Sequence, residues 1–160
     1  MIVAWTGHRP DLFEDANTAR AAVFDAARDL LHHQPVERFL VGGQRGVDTW
    51  AAEAGIDFGV PFTVLLPCEV PEFTLDWTDL DRDRLLECLE HADQVRVAGG
   101  YSERNRALAA EADVLIAVWT GRAGGGTAET VAFAHQLGTV IRDVRLPAAP
   151  LRGPVAGRGI

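Results

Sequence analysis

The 160-residue chain contains no lysine: its 15 basic residues are all Arg, set against 23 acidic ones for a formal net charge of −8. Without lysine there is no Schiff-base chemistry, no pyridoxal phosphate anchor and no Walker A lysine. An anion must then be held by Arg, by backbone N–H groups or by helix N-termini. The acidic balance argues against nucleic acid as a partner, since non-specific binding rests on a basic surface. Cysteine is scarce as well. Cys68 and Cys88 form no CxxC pair, neither lies near a His at ligand spacing, and the five His residues (8, 32, 33, 91 and 135) are scattered. No metal site is expected. No apolar run reaches the ~18 residues of a membrane span. No basic segment precedes the first apolar run, so no secretory signal and no membrane partner are expected, and the chain reads as cytoplasmic.

A hydrophobic fraction of 48% with 24% charged residues suits one globular domain. Short apolar runs alternate with helical spacing. Strands are expected at 2–7, 38–43, 61–67, 93–98, 114–119 and 139–144, and helices at 15–33, 46–58, 77–91, 102–112 and 127–137, with 68–76 as loop. This pattern predicts an α/β fold: a single doubly wound, mostly parallel six-stranded sheet with helices on both faces, Rossmann-like, over 1–146. Residues 147–160 are rich in Pro, Gly and Arg, lack an apolar period and are expected to be a flexible or surface-draped tail.

In such a sheet a ligand sits beyond the carboxyl ends of the strands. Three turns fall there: Thr6-Gly7-His8-Arg9-Pro10, Gly42-Gly43-Gln44-Arg45-Gly46-Val47-Asp48, and Gly121-Arg122-Ala123-Gly124-Gly125-Gly126-Thr127. Glycine permits close backbone approach to an anion, and the helix that follows offers unpaired N–H groups. Arg9 and Arg45 are candidates to pair with phosphate oxygens, and Thr127 is either a hydroxyl donor or an N-cap. None of the turns is GxGxxG, so an ordinary NAD site is not supported. Glu103-Arg104-Asn105-Arg106 opens the helix before the fifth strand and is read as a polar cluster facing the same pocket. Asp48 is a candidate for a ribose hydroxyl or a turn-fixing carboxylate. Glu129 sits in the first turn of the last helix, where a capping and a catalytic carboxylate look alike. Trp5 and Trp119 end strands near the crevice, available for base stacking or for the core.

Together, TGHRP, GGQRGVDTWAAEAG, PFTVLLP and ERNRALAAEADVLIAVWTGRAGGGTAETVAFAHQLG resemble the YpsA-like branch of the SLOG superfamily over about Ile2 to Val140. The resemblance implies a Rossmann-like fold, a nucleotide or nucleotide-derived ligand, and a homodimer. No other cofactor is implied. Glu103 and Arg104 are similar to the start of the ERK motif of the lonely guy phosphoribohydrolases, which puts Arg104 at that family's catalytic Arg. Gly126 and Thr127 match its GT pair. The motif's catalytic Glu falls on Thr130, with the carboxylate one residue earlier at Glu129, a rotation of about 100° on a helix. Gly43 to Asp48 and Arg104-Asn105-Arg106 also resemble motifs of the DNA-processing protein A family, which binds single-stranded DNA.

The expected ligand residues are thus Gly7, Arg9, Gly42, Gly43, Arg45, Gly46, Asp48, Arg104, Asn105, Arg106, Gly125, Gly126 and Thr127. The primary expectation is a sensor or regulatory module binding a nucleoside monophosphate or an ADP-ribose-type ligand. The alternative is a phosphoribohydrolase that cleaves the N-glycosidic bond of a nucleoside 5′-monophosphate, with Arg104 and Glu129 as catalytic residues. DNA binding ranks third on electrostatic grounds.

Overall fold

Alternate residues of each strand go to opposite faces of one sheet, and the sequence fills both faces with apolar side chains. The computed structural model describes residues 1–151, and residues 152–160, most of the expected tail, lie outside the described residues. In chain order the elements are β1 (Ile2–Gly7), α1 (Ala16–His33), β2 (Arg38–Val41), α2 (Val47–Phe58), β3 (Phe62–Leu66), α3 (Val70–Phe73), α4 (Asp79–His91), β4 (Gln94–Val97), α5 (Tyr101–Glu111), β5 (Val114–Trp119), α6 (Gly125–Leu137) and β6 (Val140–Arg145). All strand pairs are parallel and the order is β4-β3-β2-β1-β5-β6. The α/β doubly wound sheet expected from the sequence is the one observed.

Val3, Trp5, Phe39, Val41, Ile116 and Val118 point to one face, where Val23, Leu30, Trp50 and Leu85 of α1, α2 and α4 close over them. Ala4, Leu40, Leu65, Leu115 and Ala117 point to the other, under Leu108 of α5 and Val131 and Ala134 of α6. Local signals set the helix ends. Asp15 caps α1 by accepting from the Asn17 and Thr18 N–H groups, and Thr78 caps α4 through the Asp81 N–H. Gly59 and Gly138 close α2 and α6 in the left-handed conformation.

Two expectations are corrected. The segment 68–76 is not all loop: it holds α3, one turn pinned by the buried Phe73 and by the Thr74 hydroxyl donating to the Val70 carbonyl at 2.9 Å. A single turn is too short to show a helical period. The last helix begins at Gly125, two residues before the expected Thr127, because a glycine run reads as loop in a sequence. At the start of the tail, Ala148 bridges Phe13, and the Glu14 N–H donates to the Pro147 carbonyl.

Gly7 and Gly59 are fixed by different constraints. A Cβ on Gly7 would run into the Val118 carbonyl and the Val47 side chain, whereas one on Gly59 meets nothing within 4 Å and is opposed only by φ +70°. Gly7→Ala is expected to lower unfolding free energy by about 3 kcal/mol through overpacking. Gly59→Ala should lose only about 1 kcal/mol, the left-handed penalty. Urea denaturation of the two variants checks the order.

Candidate functional site

The strands β1 to β4 are laid down in one direction, and the chain then returns to place β5 on the other side of β1. The loops after β1 and β5 therefore part at their carboxyl ends, which is where this architecture forms a crevice. A cavity of about 660 Å³ opens there, walled by the loop after β1, the loop after β5, and the first turns of α2, α5 and α6.

One wall is backbone and arginine. Gly124, Gly125 and Gly126 border the cavity, with Gly124 and Gly125 at φ +77° and +85°. Gly124 is the N-cap of α6 and supplies no side-chain hydrogen bond, so the first-turn N–H groups have no side-chain cap. Arg9 and Arg122 lie on the same wall, both exposed. Behind them His8 is 5% exposed. Its Nε2 is 3.1 Å from Thr120 Oγ1 and its Nδ1 3.4 Å from Thr127 Oγ1. Burial, and then the Arg122 charge, lower its pKa, which favours the neutral ring. A neutral imidazole has one donor and one acceptor, so one hydroxyl donates to His8 and the other accepts from it.

The rest of the lining includes a polar relay across three helices. Arg104 of α5 is 6% exposed. Its Nη1 donates to the Gly42 carbonyl at the end of β2, and its Nε donates to Asn105 Oδ1 at 2.9 Å. Asn105 Nδ2 donates to Glu129 Oε1 at 3.1 Å, and the Ser102 hydroxyl lies 2.9 and 3.0 Å from the two Glu129 oxygens. Asp48 of α2 sits beside Arg104 and accepts from the Gln44 N–H at 3.1 Å. Burial pushes its carboxyl up to about 6, against the opposing pull of Arg104 and of the backbone donors.

Of the residues expected from the sequence, Gly7, Arg9, Asp48, Arg104, Asn105, Gly125, Gly126, Thr127 and Glu129 border this cavity. Gly42 lies just beneath, as the acceptor for Arg104. Four others are elsewhere. Gly43 faces Leu66, Val64 and Leu85, and Gly46 packs on the loop after β1. Arg45 stacks 4.8 Å above Trp77, and Arg106 lies 5.5 Å from the Phe133 ring. Trp5 is fully buried, and Trp119 is held by Asp143 at 2.7 Å, so neither offers a stacking face to the cavity. The register at the last helix is decided by the fold. Glu129 borders the cavity, while Thr130 is 0% exposed with its hydroxyl donating to the Gly126 carbonyl. Sequence reasoning gave no role to His8, Gln44, Tyr101 or Ser102, all of which line the wall. The positions of His8 in the first turn and Gln44 in the second were the signals available. Among the described residues no group of three His, Cys, Asp or Glu side chains is placed to hold a metal, and no helix is long and apolar enough to cross a membrane.

No family model and no curated protein matches the sequence. Solved structures do match. DNA processing protein A from Streptococcus pneumoniae superposes with a TM-score of 0.67 at 18% identity, covering 97% of this chain and 51% of that one. The chain thus spans about half the length of that protein. The Moco carrier protein of Chlamydomonas reinhardtii gives 0.62 at 23% identity, covering 89% and 75%. The molybdenum cofactor binding protein of Rippkaea orientalis gives 0.62 at 20%, covering 89% and 74%. The fold these structures share with the chain is the Rossmann-like α/β one. At these identities the likeness establishes the fold and leaves the ligand of the cavity to its own chemistry.

Asp48 provides a test of the relay. A free Asp titrates near 3.9. With a folded value of about 6, the native state holds this proton more tightly than the unfolded chain. The charged carboxylate therefore destabilises the fold. The penalty is absent below about pH 4, grows to about pH 6 and is then constant at about 3 kcal/mol. Asp48→Asn keeps an acceptor for the Gln44 N–H and removes the charge. Its stability relative to wild type should rise between pH 4 and 6 and stay higher at pH 8, as read by urea midpoints at each pH.

Proposed function

We propose that the cavity binds a nucleotide or nucleotide-derived ligand, a nucleoside monophosphate or an ADP-ribose-type molecule, and that the chain acts as a sensor or regulatory module. The observation that carries this reading is the uncapped first turn of α6 opening on a cavity that Arg9 and Arg122 also border. Backbone N–H groups at a helix N-terminus, with guanidinium groups in the same cavity, are suited to a phosphate. Thr127 supplies a hydroxyl at the same turn, next to His8. The TGHRP and GGQRGVD turns support a place in the YpsA-like branch, whose resemblance also carries the expectation of a homodimer.

Isothermal calorimetry with AMP and ADP-ribose tests the reading. Wild-type protein should bind at least one of them, and Arg9→Ala with Arg122→Ala should weaken binding by about tenfold or more, roughly 1.4 kcal/mol. No heat from either ligand at millimolar concentration would refute it.

A second reading, a phosphoribohydrolase, is favoured by one observation: a carboxylate, Glu129, borders the cavity and is fixed by Ser102 and Asn105. In that reaction water attacks C1′ as the base departs, and Glu129 takes the water proton or stabilises the oxocarbenium-like carbon. Arg104, engaged with Gly42 and Asn105, acts by positioning Asn105 and through it Glu129. On this reading long incubation of nucleoside monophosphates with concentrated protein releases free base on chromatography. Glu129→Gln should cut that release by about a hundredfold, the scale of a lost acid–base group.

A further inference from the structure

The cavity wall carries two rings, and they are unlike. His8 is buried and held by two threonine hydroxyls. Tyr101, the first residue of α5 and the only tyrosine in the chain, is 54% exposed. An exposed aromatic at the mouth of a polar cavity lacks the burial that explains the other large rings here: Phe73 and Trp77 nearby are only 4% and 7% exposed. Tyr101 is also backed. Its ring centroid lies 6.3 Å from that of Phe73, which in turn lies 5.0 Å from Trp77, and the Arg104 guanidinium carbon is 5.8 Å from the Tyr101 ring. It is the exposed end of an aromatic row anchored in the core by α3.

Its place in the sheet matters. Arg104 ties Tyr101 to the end of β2, and Phe73 ties it to the helix after β3. The α6 first turn follows β5, two strands from β2 and three from β3. The neighbour of Tyr101, Ser102, reaches Glu129 of α6 at 2.9 Å, so the ring and the α6 first turn border one cavity of about 660 Å³. That volume is in the range of small-molecule sites and has room for a mononucleotide with its phosphate at α6 and its base against Tyr101. Stacking on an aromatic face is tolerant of base identity, because every base has a π-face.

We propose that Tyr101 is the base-recognition platform of this cavity: the nucleobase of a bound nucleoside monophosphate stacks on its ring while the phosphate sits at the α6 first turn. This rests on the nucleotide-binding reading above and adds which end of the ligand each wall holds.

The test is calorimetry of AMP, UMP and ribose 5-phosphate with wild type, Tyr101→Ala and Tyr101→Phe. Wild type and Tyr101→Phe should bind AMP and UMP about tenfold or more tighter than ribose 5-phosphate, the scale of one stacked base. Tyr101→Ala should bring AMP and UMP down to the level of ribose 5-phosphate while leaving ribose 5-phosphate itself unchanged. With fluorotyrosine incorporated, the single tyrosine gives one ¹⁹F resonance, which should move on addition of AMP and stay in place with ribose 5-phosphate. Nucleotide binding unaffected by Tyr101→Ala would overturn the proposal and leave the nucleotide reading standing. Loss of ribose 5-phosphate binding along with AMP would make Tyr101 a structural residue and overturn it too. No binding of any of the three by wild type would remove the nucleotide reading and the platform with it.

Discussion

One guanidinium, almost wholly buried at the cavity wall, joins the elements that make the site. Arg104 reaches from α5 to the carbonyl of Gly42 at the end of β2, lies beside Asp48 of α2, and through Asn105 fixes Glu129 of α6. A buried charge is tolerated only when hydrogen bonds and an opposing charge replace its water. The demand for those partners is what brings the first turns of α2, α5 and α6 together. The planar fork of Arg meets two acceptors in fixed directions, which the point charge of a lysine does not do. Gly42 belongs to the same constraint, since a Cβ there would meet the Arg104 guanidinium and Asp48 Oδ2 at 2.7 Å.

Charge then separates the cavity from the rest of the surface. The chain carries −8, yet the cavity wall holds Arg9, Arg104 and Arg122 against Asp48 and Glu129. Asp48, with a pKa near 6, gives up part of its negative charge in mildly acid solution. Three helix N-termini add positive potential at the same place. A small anion meets an attractive interior, while an extended polyanion meets the net negative field of the whole molecule. On the proposed reading this contrast selects a mononucleotide over a strand.

Most of the fold was legible in the sequence. The bounds of β1 and β5 follow from continuous apolar runs ending in Gly7 and Trp119, and the doubly wound sheet follows from their alternation with helices. Two local features were hidden. One turn of helix at α3 has no period to read, and the glycines that open α6 disguise a helix as a loop. At the site, glycine-rich turns mark the right strand ends but do not say which residues of a turn face the crevice. Gly43 turned to the apolar side of β3, and Arg45 found Trp77 from a distant part of the chain. Such pairings are tertiary and leave no trace in spacing. The same limit hid Tyr101 and Ser102: a helix start shows its sequence but not the direction in which its first turn points.

Glu129 shows how the fold settles what an alignment of motifs does not. Counted from the GT pair, the motif position falls on Thr130, yet a helix residue is placed by its face. Thr130 packs inward with its hydroxyl on the Gly126 carbonyl, and its neighbour, rotated by about 100°, takes the cavity side. The glycine loop before α6, with positive φ at Gly121, Gly124 and Gly125, sets the angle at which the helix begins. Loop geometry and carboxylate position are therefore one variable. In this fold a different loop would turn a different residue of the last helix to the crevice, so function is read from the side chains that reach it.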